Sequence, residues 1–160
     1  MTKLEQNYEV FLSLINNEDI EFVNKINDTM LQDNYASKIE HKKTLSVISY
    51  RNKNTKKVVV NITLKKGVLS VKIVGHHIAN YEDFLEELPT SMIENIEYSA
   101  DCKQLIDPSA CWQACEMGSV FKLKGQKMAK CRYACFSFDV ENENKTGINA
   151  FIDMERKCQL

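Results

Sequence analysis

The sequence predicts an α+β domain in which helices pack on one face of an antiparallel sheet, the sheet being a three-stranded meander plus a C-terminal hairpin. Two observations carry this. Apolar and polar residues alternate on either side of a Lys66-Gly67 turn signal, and apolar residues recur at helical spacing near both ends of the chain. A length of 160 residues fits a single domain with one core. Residues 1–100 supply helices and the meander, and residues 101–160 a cysteine-rich hairpin and a closing helix.

The elements follow in order. Tyr8, Phe11, Leu12 and Ile15 form the first helical stripe, and Phe22, Val23, Ile26 and Met30 the second. Asn17 is placed to cap that second helix, with Glu18 and Asp19 where the helix dipole favours negative charge. Residues 45–50 are rich in strand formers, and Asn52-Lys53-Asn54-Thr55 reads as a turn. Val58, Val60, Ile62 and Leu64 alternate with Val59, Asn61, Thr63 and Lys65, which gives one buried and one wetter face. Lys66-Gly67 then leads into residues 68–74, with Leu69, Val71 and Ile73 inward. Asn80 is placed to cap a short helix carrying Tyr81, Phe84, Leu85 and Leu88, which Pro89 ends. Met92, Ile93 and Ile96 continue helically. A strand at 120–123 turns at Lys124-Gly125 into a return strand that ends in Phe136, Phe138 and Val140. Residues 146–156 close the chain as a helix with Ile148, Phe151, Ile152 and Glu155 on its stripe.

Composition excludes several classes. Hydrophobic residues at 44% and charged residues at 27% are globular values. No stretch approaches the roughly 20 apolar residues of a membrane span, so no membrane partner is expected. The first 22 residues hold no signal-like apolar run, so the chain is expected in the cytoplasm with its thiols reduced. The net charge is -1, but the charge is blocked. Residues 38–72 hold ten Lys and Arg against one acid, Glu40, whereas residues 73–100 hold six acids and no Lys or Arg.

Four of the six cysteines fall in one stretch, ACWQACEMGSVFKLKGQKMAKCRYACF, as two pairs: Cys111 with Cys115, and Cys131 with Cys135. Two pairs separated by a hairpin suit a tetrahedral zinc site, and few apolar residues between 109 and 126 hold this region down by burial. Metal binding would count directly as folding energy, with Lys130 and Arg132 offsetting the thiolate charge. The role would be structural, since four protein ligands leave no open position. The spacing resists this reading. Zinc pairs usually sit two residues apart rather than three. Positions i and i+4 lie about 6 Å apart on a helix, but about 13 Å apart on a strand at about 3.3 Å per residue. Cys111 and Cys115 therefore need a helix. Cys131 and Cys135 need a bend near Arg132-Tyr133, which the length of an unbroken strand to Val140 also favours. Cys102 is the spare ligand. Reduced core thiols, a thiol-based redox pair and an iron–sulfur cluster stay open as alternatives.

The block LIDPSACWQACEMGSVFKLKGQKMAKCRYACFSF resembles a family of small proteins from clostridia and related Firmicutes. The matching positions are Asp107, Pro108, Cys111, Cys115, Met117, Gly118, Lys130, Cys131, Arg132, Tyr133, Cys135 and Phe136, and KGVLSVKIVGHHIANYEDFLEELP upstream is similar too. The resemblance runs from about Ser46 to the C-terminus. It implies a stand-alone cytoplasmic protein and no particular activity.

The basic block offers a second reading, a nucleic-acid or other polyanion-binding face built on Lys57, Lys65 and Lys72, with Lys130 and Arg132 on the hairpin. Interleaved aromatic residues are missing from it, so a base-stacking platform is absent. The plainer alternative is a solvated sheet face partly neutralised by the acidic segment 82–97. His76 and His77 are adjacent on an extended segment and point to opposite sides, so they make no chelate. A Cys–His catalytic pair has no local signature, and no phosphate loop, dinucleotide fingerprint or serine elbow occurs. Trp112 is expected to anchor the first cysteine pair on the core. No catalytic residue nominates itself.

Overall fold

The computed structural model describes residues 1–112 and 114–160; Gln113, inside the first cysteine pair, lies outside the described residues. The order is α1 (Lys3–Leu14), α2 (Asn17–Gln32), β1 (Tyr35–His41), β2 (Leu45–Asn52), β3 (Val58–Lys65), β4 (Val68–Ile73), two 3-10 turns, α3 (Thr90–Tyr98), α4 (Lys103–Ile106), a third 3-10 turn, the hairpin β5 (Gly118–Leu123) and β6 (Gln126–Cys131), then β7 (Ser137–Asp139) and α5 (Lys145–Cys158). The class is α+β, and the main sheet is antiparallel with strand order β1-β2-β3-β4-β7.

The sheet is larger than a three-stranded meander. β1 was hidden because Ser37 and His41 put polar residues on the inward face beside Tyr35 and Ile39; Lys38 and Glu40 lie on the outward face, and charge on an edge strand is one way such strands avoid pairing with other chains. The C-terminal hairpin also differs from expectation. The return strand stops at Cys131, and a turn follows in which the Cys135 amide donates to the Cys131 carbonyl at 2.9 Å. The bend expected near Arg132-Tyr133 is there. It sends Phe138 out of the hairpin to pair with Val71 in the main sheet.

Lys-Gly turns both sharp corners. Lys66 and Gly67 take φ of 51° and 78°, and Lys124 and Gly125 take 52° and 75°. Two consecutive positive φ values match the right-handed twist of the flanking strands, and glycine at the second position adopts its value without steric cost.

Register explains the layering. Ile48, Ile62, Val71 and Phe138 lie in one row across the sheet and are buried. Phe11, Val23, Ile26, Met30, Phe151 and Ile152 from the helices share their core. The neighbouring row, one residue along each strand, carries Lys38, Ser49, Asn61, Lys72 and Ser137 on the opposite face. None of these belongs to the core.

Helix details depart from the sequence in small ways. Thr2 and Glu5 close a capping box on α1, with the Thr2 amide donating to the Glu5 carboxylate at 2.8 Å and the Glu5 amide to the Thr2 hydroxyl at 3.1 Å. Asn16, not Asn17, stands at the α2 cap, and its side chain makes no capping bond. Asn80 ends a 3-10 turn, Ile78–Asn80, instead of capping a helix, and Glu82–Glu87 is also 3-10. The segment is short and Pro89 denies it a further turn, so the tighter winding is used. Gly147 sets α5 close to α3: a Cβ there would meet Pro89 Cδ at 2.7 Å and Met92 Sδ at 2.8 Å.

Candidate functional site

α5 carries its apolar stripe at Ile148, Phe151 and Ile152, and the next position on that face is Glu155, which is 0% exposed. An unpaired carboxylate there would cost several kcal/mol, on the order of the penalty for any buried ion. This one is fully paired. Its Oε1 accepts from the His77 amide at 3.0 Å and from the Tyr81 hydroxyl at 2.7 Å. Its Oε2 accepts from His77 Nδ1–H at 2.7 Å and from the Gln159 side-chain amide at 2.6 Å. Burial, then the charge of Glu155 and the hydrogen bond to it, push the Tyr81 phenol far above its ordinary range, so Tyr81 remains a donor.

The consequence falls on His77. With Nδ1–H committed to Glu155, its Nε2 is the free ring nitrogen and has no hydrogen-bond partner among the described residues. The ring is partly exposed and lines a cleft of about 290 Å³ with Thr55, Lys57, His76, Glu116, Arg132 and Gln159. Neutral, Nε2 accepts a hydrogen bond; charged, it donates one. A carboxylate fixing one imidazole nitrogen so that the other faces a cleft is the arrangement used to orient ligand-binding and acid–base histidines.

Each wall of the cleft is ordered by bonds of its own. Asn52 is buried, and its side-chain oxygen accepts from the amides of Asn54 at 2.8 Å and Thr55 at 3.1 Å, shaping the turn that presents Thr55 and Lys57. The Asn52 amide donates to Gln159 at 3.1 Å, which joins this turn to the Glu155 network. His76 Nε2–H donates to the Val58 carbonyl at 2.9 Å, and desolvation holds its pKa below the ordinary value. On the far side the Arg132 amide donates to the Met117 carbonyl at 2.7 Å, and its guanidinium donates to the Glu116 carbonyl at 2.6 Å and the Ser119 hydroxyl at 3.3 Å. Arg132 Nε is buried and has no partner among the described residues.

The expected site residues separate. Lys57 and Arg132 meet in this cleft. Lys72 lies under the Tyr133 ring, 3.8 Å from its centroid, next to the cleft. Lys65 is exposed at the β3–β4 turn, four residues along β3 from Asn61, the partner of Lys72, or about 13 Å at strand rise. Lys130 is not a surface residue at all. It is 4% exposed, and its ammonium donates to the Glu97 and Ser99 carbonyls and to Asp101 at 3.0 Å. The acidic segment is met by the hairpin instead of the sheet lysines: Lys124 pairs with Glu97 at 3.2 Å, and the Lys122 amide donates to Glu82 at 3.0 Å.

The cysteines do not come together as a zinc ligand set. All six are free: Cys111 is exposed, Cys115 and Cys131 are half-buried, and Cys135 and the spare Cys102 are buried. Cys111 has extended backbone, φ −143° and ψ 173°, so the helix expected to bring it to Cys115 does not begin there. Cys135 joins the apolar core, where burial first and the neighbouring Cys131 second push its thiol far up. Among the described residues no three His, Cys, Asp or Glu side chains form a group able to hold a metal ion. Trp112 is 74% exposed and anchors nothing in the core.

Sequence reasoning passed over the His77–Glu155 pair, although one signal was in plain view. Glu155 falls on the apolar stripe of its own helix, and a lone acid in that position needs buried donors. Among the described residues no helix is long and apolar enough to cross a membrane. Compared with protein-family models, with curated proteins and with solved structures, the chain matches none.

Proposed function

We propose that the protein is a binding domain for a small oxyacid, held in the cleft between the 52–57 turn, the His76–His77 corner and the end of the β5–β6 hairpin. One observation carries the reading. A fully buried, four-fold hydrogen-bonded carboxylate orients His77 so that Nε2 faces a cleft that also presents Lys57 and Arg132. An oxyacid suits both states of that nitrogen, because its protonated oxygen donates to a neutral ring and its anionic oxygen accepts from a charged one. Arg132 and Lys57 supply charge, with Glu116 as the opposing carboxylate in the same cleft.

This narrows the polyanion reading of the basic block. An extended phosphate track needs contiguous cations, but Lys130 is buried and Lys38 and Lys42 both sit beside Glu40, at 3.1 and 3.7 Å. The test is a titration with inorganic phosphate followed by amide and imidazole chemical shifts. Saturable binding with shifts at His77 and Arg132 is expected, weakened about fivefold or more by Lys57→Gln and strengthened by Glu116→Gln. Absence of binding at low salt, or indifference to both substitutions, would overturn it.

A further inference from the structure

Beside the polar cleft lies a second hollow of about 290 Å³, lined by Val58, Val74, Met117 and Tyr133. The two share Lys57, His76, Glu116 and Arg132 as a common wall. Together they reach the range of small-molecule sites, roughly 300–1,000 Å³ with mostly apolar walls and a few convergent polar groups. Other hollows differ in kind. The one along the 79–87 segment is walled by Glu82, Asp83, Glu86 and Glu87 and offers no cation to an acid.

We infer that the ligand is an amphipathic oxyacid, whose acid group sits against His77, Lys57 and Arg132 and whose short aromatic or aliphatic body lies against Val58, Val74, Met117 and Tyr133. The inference rests on the oxyacid reading above and adds the ligand class. Two features of the apolar side support it. Tyr133 is 52% exposed, and its ring packs on the Lys72 ammonium, 3.8 Å from the centroid, a contact that favours this placement of the ring beside the cleft. Met117 is placed by the residue that also faces the acid group. The Arg132 amide donates to the Met117 carbonyl at 2.7 Å, which ties the apolar wall to the cationic one. A ligand with both parts would bury apolar surface against a wall positioned by its own counter-charge.

The experiment compares inorganic phosphate, phenyl phosphate and benzyl alcohol on the full chain. Phenyl phosphate is expected to bind about tenfold more tightly than inorganic phosphate, as burial of part of a phenyl ring provides. Benzyl alcohol is expected to bind more weakly than either. Tyr133→Ala should erase most of that tenfold gain and leave inorganic phosphate affinity within twofold, with its unfolding midpoint confirming that the variant folds. If both phosphates bind equally, the amphipathic inference fails and the oxyacid reading survives. If neither binds, both fail.

Discussion

Replacing Glu155 by Gln keeps the shape of the side chain and changes only what it offers its four donors. The new amide must place its NH₂ group on one side or the other. On the Oε1 side it would face the His77 backbone N–H, which cannot accept. On the Oε2 side it faces His77 Nδ1, which can accept if the ring proton moves to Nε2, and the Gln159 amide, whose oxygen is already held by Asn52. The second arrangement wins, and the imidazole changes tautomer. Hydrogen bonds to a charged group contribute about 1.5–3 kcal/mol each. Two lose their charge assistance and one of the four donors is left facing a donor, against which the tautomer change recovers part, so a net loss of about 2–3 kcal/mol follows. For a chain of this length each kcal/mol lowers the midpoint by about 2–4 °C, giving about 5–10 °C in a thermal melt. Nitrogen-15 correlation spectra of the histidine rings read the tautomer directly, with the proton on Nδ1 in the parent and on Nε2 in the variant. A variant within about 0.5 kcal/mol of the parent, with its ring proton unmoved, would refute the reasoning, because Glu155 would then not be acting as an ionised acceptor.

Lys130→Met is expected to cost about 2–3 kcal/mol in urea denaturation by leaving the Glu97 and Ser99 carbonyls unmatched, while phosphate binding stays unchanged; a loss of binding at full stability would return Lys130 to a ligand role. His76 has a folded pKa held below its ordinary value of 6.5, first by desolvation and then by Arg132 and Lys57, against the Val58 hydrogen bond and Glu155. Its contribution to stability is therefore complete above about pH 6.5 and is lost as pH falls toward the lower folded value. His76→Gln should flatten that part of the stability–pH curve, and an equal slope in both proteins would contradict it. Iodoacetamide should modify exposed Cys111 first and buried Cys135 only on unfolding, as peptide mass spectrometry will show; early labelling of Cys135 would argue against its place in the core.

Much of the fold was legible because local and tertiary preferences agree. The Val58–Leu64 alternation, the two Lys-Gly corners and the apolar stripes of α2 and α5 each name their partner face without help from the rest of the chain. β1 was missed altogether, whereas β7 was read as strand but given the wrong neighbour. β1 has Ser37 and His41 on its inward face, which masks its period, and β7 was read as the end of the hairpin's return strand because no local feature names Val71 as the partner of Phe138. The site was hardest to read. Lys57, His77, Arg132 and Glu155 come from four separate segments, and only topology brings them together. The basic block drew attention by its count of charges, but the count says nothing of which lysine is spent inside, as Lys130 is.

The hairpin's detachment from the main sheet has an energetic consequence. β5 and β6 form no ladder with the main sheet, and a two-stranded ribbon has little stability by itself. It is fastened by Phe121 and Leu123 in the core, with the Phe121 and Phe136 ring centroids 5.5 Å apart, by the Cys102 amide donating to the Ala129 carbonyl, by Lys122 and Lys124 against Glu82 and Glu97, and by the Lys130 ammonium at the end of α3. Because Phe121 and Leu123 are buried in the common core, the hairpin is held in place by side-chain packing and not by a backbone ladder. Its two ends carry Glu116, Met117 and Arg132, so one wall of the cleft takes its position from the packing of Phe121 and Leu123, and a cavity made at either side chain would be felt at the ligand's acid group.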